Sequence, residues 1–241
     1  MLKSIKDLHG YRIHATDGEI GKVDEFLFDD QKWTVRYLVV KTGGWLLGRK
    51  VLISTKALAH PNRDLEIFPV GLTKEQIENS PSIDTDKPVT RQHEHDLHAH
   101  YGWPAYWEPG AFAGELAIAQ SEYMGSEDEE KAGDPHLRST NIVRGYNIYA
   151  KDGRIGHIDD FIMDDANWTI KYLIVDIRGW LPERRVIISP RWIEKLDWLA
   201  SNAYINLAKE DIETSPKFDP SKPMDDDYED RLHDHYGLEK K

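Results

Sequence analysis

The chain has 241 residues, 39% of them hydrophobic, a formal net charge of −12 and no Cys. That length fits one large domain or two of about 100 residues each, and the missing Cys excludes disulfides and thiolate metal sites. The negative charge argues against nucleic acid or anionic lipid as the principal partner.

No apolar run follows Met1-Leu2-Lys3-Ser4-Ile5-Lys6-Asp7, and no stretch approaches the length of a membrane span. Neither a signal peptide nor a transmembrane helix is expected, and a cytoplasmic setting is the natural reading. The first strands are expected over Tyr11–Ala15 and Glu19–Phe28, joined by Asp17-Gly18, because Gly tolerates the positive φ of a tight hairpin. Asp29-Asp30-Gln31-Lys32 reads as the next turn, where Asp bonds its own backbone. Trp33–Lys41 follows as a strand, with Trp33, Val35, Tyr37 and Val39 on one face and Thr34, Arg36, Leu38 and Val40 on the other. One apolar and one semi-polar face suit an antiparallel sheet with one dry side. Lys50–Ser54 and Leu65–Phe68 complete the strands. A short helix is predicted over Thr73–Glu78, and a second over about Arg91–Tyr101, with Gly102 as its C-cap.

The same pattern then returns at a constant shift of 135 residues. Gly10-Tyr11 reappears as Gly145-Tyr146, Asp17-Gly18 as Asp152-Gly153, Trp33-Thr34 as Trp168-Thr169 and Tyr101-Gly102 as Tyr236-Gly237. The reading is therefore mainly β: two tandem small antiparallel β-barrels, each followed by short C-terminal helices. The domains are 1–102 and 136–241, joined by a linker over 103–135 that is first aromatic and then acidic. The aromatic part is expected to pack on a domain, since it is too apolar for water. Two homologous barrels should pack about an approximate two-fold axis.

The ordered run Asp17-Gly18-Glu19-Ile20-Gly21-Lys22-Val23, Trp33-Thr34-Val35-Arg36-Tyr37-Leu38-Val39-Val40 and Gly44-Trp45-Leu46-Leu47-Gly48-Arg49-Lys50-Val51, present twice, resembles the PRC-barrel domain. That domain is shared by the photosynthetic reaction-centre H subunit and a bacterial ribosome-maturation factor. The resemblance implies a small β-barrel used for docking and assembly, with no active-site residue to carry over. Of its relatives, the chain looks most like the stand-alone bacterial members.

Candidate chemistry is sparse. There is no Gly-x-Ser-x-Gly, phosphate loop, dinucleotide fingerprint or calcium loop. An enzyme is not expected, and no cofactor is implied. The loop aromatics Trp45 and Trp180, with Arg49 and Arg184 nearby, are the interface candidates, because large aromatics and Arg anchor interfaces. Arg49-Lys50 and Arg184-Arg185 also read simply as solvated strand ends. The alternative function is metal or ligand binding by the His-rich tails: His98 and His100 with Glu94, and His233 and His235 with Glu229. Against a shared site, His98 and His100 point about 200° apart on a helix. The Leu97/Tyr101 and Leu232/Tyr236 stripes should dock on a barrel, in cis or in trans, leaving Glu94 and Glu229 toward solvent. The expected partner is an unidentified protein. Self-association and peripheral docking to a membrane complex are further modes.

Overall fold

The computed structural model describes residues 2–43, 48–81, 83, 89, 91–105, 137–177, 184–220, 222 and 224–237. The chain divides into two compact units, residues 1–9, 25–36 and 138–241 in one and 10–24 and 37–137 in the other. The units do not coincide with the two sequence copies, because 1–9 and 25–36 of the first copy belong with the second. The interdomain linker expected over 103–135 lies outside the described residues from position 106 onward.

The unit of 10–24 and 37–137 contains β2 (Arg12–Ala15) and the first part of β3 (Gly18–Asp29). It also holds most of β4 (Thr34–Thr42), then β5 (Lys50–Ser54), β6 (Ile67–Pro69), α2 (Lys74–Glu78) and α3 (Arg91–Tyr101). The strand order is β5-β4-β3-β2-β6. Asp17 does more than turn the β2–β3 hairpin: its Oδ1 also accepts from Lys74 N at 2.8 Å, satisfying a free N–H at the start of α2. Gly21 is required by packing, since a Cβ there would lie 2.2 Å from the Lys41 carbonyl oxygen. Ile13, Leu38, Leu52, Ile53, Phe68, Ile77 and Leu97 are fully buried.

Three expectations are corrected here. β6 runs parallel to β2, with Ile13 opposite Phe68, so the sheet is not purely antiparallel. Among the described residues no ladder closes β5 onto β6. The chain leaves β5 through a 3-10 turn at Thr55–Ala57 and meets the β6 region only at single bridges, Leu58 with Val70 and Asn62 with Ile67. β4 is buried on both faces from Tyr37 to Val40, so the side expected to be semi-polar is also covered there; helix α3 packs on the Tyr37 side.

The other unit contains β1 (Leu2–Ser4), α1 (Ile5–Leu8), the Glu25–Asp29 end of β3, β7 (Leu137–Ser139, from Arg138) and α4 (Thr140–Val143). It continues with β8 (Asn147–Ala150), β9 (Gly153–Asp164), β10 (Thr169–Ile177), β11 (Arg184–Ile188), β12 (Ile193–Asp197), β13 (Asn202–Ile205), α5 (Lys209–Glu213) and α6 (Asp226–Tyr236). The order is β12-β13-β8-β9-β10, with β11 on β10 and β1 on β9. β13 runs parallel to β8, as β6 does to β2. The sequence reading missed β1, α1, β7, α4 and the β12–β13 hairpin.

Within this unit, segments of the two copies pair reciprocally. β1 lies antiparallel to β9, with Lys3 opposite Met163, while β7 pairs β3. Ser4 Oγ donates to Asp160 at 2.5 Å, and Ser139 Oγ donates to Glu25, the same pair shifted by 135 in each partner. Thr34 sits opposite Thr169. On either side, Val35 N donates to Trp168 O at 2.8 Å and Ile170 N to Trp33 O at 2.7 Å. Each of these contacts has its counterpart at a shift of 135 residues, whereas the bond from Phe26 N to Thr140 Oγ1 has none, because Ile5 stands at the shifted position. Trp33 and Trp168 do not lead a strand face, as alternation suggested. They precede the strands with φ of 51° and 61° and are half-buried. The cause is the preceding turn, in which the Asp29 carboxylate accepts from Gln31 N and Lys32 N and so tightens the chain before Trp33.

Candidate functional site

The tail helices bring together most of the residues singled out from sequence. α3 begins in the Arg91–Glu94 turn and ends at Gly102, whose φ of 67° supplies the left-handed cap. Its inner face presents Glu94, Leu97 and His98 to β4. Tyr37 Oη donates to Glu94 Oε1 at 2.7 Å and lies 2.9 Å from His98 Nε2. The other ring nitrogen, Nδ1, is 3.1 Å from the Pro104 carbonyl oxygen. His98 is 4% exposed, and burial holds its pKa down at about 4. Trp103 stacks on Tyr101 with ring centroids 4.2 Å apart, so the start of the aromatic linker packs on a domain as expected.

The second copy repeats the arrangement more openly. Tyr172 Oη donates to Glu229 Oε1 at 2.8 Å and lies 3.3 Å from His233 Nε2. Leu232 and Tyr228 join Ile162, Tyr172, Ile174, Ile187 and Phe218 in one apolar cluster, with Tyr236 against it. Both stripes therefore dock in cis, each on its own copy's sheet. Glu94 and Glu229 do not face solvent. Glu94 is 0% exposed and Glu229 half-buried, because each accepts the tyrosine hydroxyl beneath its helix.

His100 and His235 stand apart from these clusters. Each is exposed, with Nε2 2.7 Å from a carbonyl oxygen, Gln76 and Asp211 respectively. Among the described residues no group of three or more His, Asp or Glu is placed to hold a metal ion. Arg49 reaches across to the end of α2, donating to the carbonyls of Glu78 at 3.2 Å and of Ser80. Arg184 does the same to Ser215 O at 2.5 Å. These guanidiniums satisfy helix-end carbonyls. Trp45 and Trp180 lie outside the described residues.

A further feature was missed by sequence reading. An open groove of about 580 Å³ lies within the unit of 1–9, 25–36 and 138–241. Its walls include Trp33 and Trp198, and Lys32, Lys171, Arg191 and Lys195 line it. Trp33 is backed by Phe28, with centroids 5.3 Å apart and planes at 26°, and Phe28 by Phe161 at 5.9 Å. Trp198 is covered by the Arg138 guanidinium 4.2 Å from its ring, and Arg138 Nε is fixed by Asp30 at 3.0 Å. One signal was available: Trp198 and Lys195 fall where the first copy carries Arg63 and His60, so the copies differ at this surface.

No helix of the described residues is long and apolar enough to cross a membrane. The chain has no match among curated proteins. The model of the PRC-barrel domain matches twice, at residues 2–70 and 138–207. Those stretches span more than half of the chain and fall on the two repeated sheets. The chain therefore belongs to the PRC-barrel domain family and carries two copies of that domain in tandem.

Proposed function

We propose that this protein is a non-enzymatic interaction and assembly module that docks a protein partner through its β-rich domains in the cytoplasm. Membership of a family whose domains generally serve protein interaction and assembly supports this reading. The observation that carries it is the pair of half-buried tryptophans, Trp33 and Trp198, each held from behind and open to the same groove. Large aromatic side chains fixed in place lose little entropy on binding and anchor interfaces. The side chains suited to acid–base or metal chemistry are used differently. Glu94 and His98, like Glu229 and His233, bond the tyrosine under their own helix.

Affinity capture from the native host with the full chain as bait, followed by reconstitution with the purified captured protein, tests this. A saturable complex that forms in the presence of a chelator is expected. Failure of every captured protein to rebind would overturn the reading. So would tight stoichiometric zinc binding abolished by His98→Ala with His233→Ala, which would support the metal-binding alternative.

A further inference from the structure

Resting on the docking reading above, we infer that the Trp33/Trp198 groove receives an acidic, extended segment of a partner protein. Lys32, Lys171, Arg191 and Lys195 converge on this one concavity, and all four are exposed. Among the described residues Lys32, Lys171 and Arg191 make no ion pair, and Lys195 only reaches Asp197 at 4.0 Å. On the acid side, Asp30 is held by Arg138, and Glu194 is the other carboxylate in the lining. The groove is thus locally cationic on a chain whose net charge is −12. Such a local reversal of sign attracts an anionic group and repels cationic surfaces.

Shape and chemistry favour a peptide over other polyanions. The cations sit around two tryptophans, which offer apolar contact to a side chain, and Asp30 and Glu194 would oppose a continuous phosphate backbone. The groove's position also separates the copies functionally. Trp198, Lys195 and Glu194 correspond to Arg63, His60 and Ala59 of the first copy, so the side of the groove built by the β12–β13 hairpin is particular to the second repeat, while Lys32 and Trp33 come from the first.

Fluorescence anisotropy with the full chain tests the inference, using a fluorescein-labelled peptide Glu-Asp-Glu-Phe-Asp-Glu-Asp-Glu. A version with Lys at every acidic position, phosphatidylserine vesicles and oligothymidylate serve as competitors. Saturable, salt-sensitive binding of the acidic peptide is expected. It should weaken by roughly tenfold or more in Lys32→Glu with Lys195→Glu, with circular dichroism unchanged because both side chains are exposed. Trp198→Ala should weaken it by a similar factor. Absence of saturable binding, equal binding by the charge-reversed protein, or stronger competition by vesicles or oligothymidylate would each overturn the inference. If the captured host partner still binds the charge-reversed protein, the docking reading stands and the groove assignment alone fails. If the peptide binds but no host protein does, the groove stands and the docking reading fails.

Discussion

The hydroxyl of Tyr37 reaches Glu94, 57 residues later, across 2.7 Å, and Tyr172 reaches Glu229 over the same sequence distance at 2.8 Å. The two bonds differ in environment, since Glu94 is fully buried and Glu229 half-exposed. A buried acceptor that loses its donor keeps its desolvation cost, about 1–3 kcal/mol and more for a charged group. Tyr37→Phe should therefore destabilise the fold by about 2–3 kcal/mol and Tyr172→Phe by about 1 kcal/mol. Equilibrium denaturation in urea measures both. Equal, negligible losses would mean that the bonds do not hold the tail helices.

Two buried groups should oppose each other in their pH dependence. His98 has a folded pKa of about 4, well below the unfolded imidazole. As pH falls from about 6.5 to about 4, the unfolded chain takes up a proton that the folded one refuses, so stability is lost. Asp160 is 4% exposed, and burial raises its pKa to about 6. Its contribution has the reverse sign: it is fully present below the unfolded value of about 3.9 and is lost as pH rises through about 6. Each effect is on the order of 3 kcal/mol, so they largely offset in this window. His98→Gln should leave a protein that weakens as pH rises from 4 to 6. Asp160→Asn should leave one that weakens as pH falls from 6.5 to 4. Melting temperatures across this range decide the matter, and parallel profiles for both variants would contradict the assignments.

The N-terminal strand should be structural. Ile5 and Leu8 are buried, β1 pairs β9, and Ser4 with Lys6 N satisfies the Asp160 carboxylate. Removing residues 1–8 should lower the melting temperature by several degrees, since two apolar side chains contribute about 1.5–3 kcal/mol each on burial. Amide exchange at Ile162–Asp164 should quicken at the same time. Unchanged exchange there would show that β1 is dispensable.

Two glycines should respond differently to alanine. At Gly156 a Cβ would sit 2.1 Å from the Asp176 carbonyl oxygen, so β9 and β10 must separate locally. Gly145 has a φ of 98° but nothing within 4 Å. Gly156→Ala should cost several kcal/mol and Gly145→Ala about 1–2 kcal/mol, from backbone strain alone. Thermal denaturation that ranked them in the opposite order would refute the packing explanation.

Much of this architecture was legible in the sequence, and the exceptions have physical causes. The constant 135-residue shift gave the duplication, and Lys50–Ser54 and Arg91–Tyr101 match the observed elements at both ends. The strand expected over Leu65–Phe68 is β6 at Ile67–Pro69, but its parallel pairing with the distant β2 carries no hairpin signal. The pairing of β1 with β9 was hidden because the copies resemble each other. A strand that suits one sheet suits its duplicate, and hydrophobic alternation cannot choose between them. Glu94 was read as solvent-facing because a helical Glu usually is. Its partner Tyr37 lies on another element, beyond the reach of helical periodicity. Among the site residues, Glu94 and Glu229 were expected toward solvent, and the His and Glu of the tails were singled out for the metal-binding alternative. The groove residues Lys195 and Trp198 showed only as positions where the copies differ.

Titration calorimetry of the full chain with its purified captured partner, in the presence of a chelator, tests the docking reading most directly. The expected result is saturable binding near one-to-one stoichiometry that survives His98→Ala with His233→Ala. Heat that appears only when zinc is restored, and vanishes in that double variant, would contradict it.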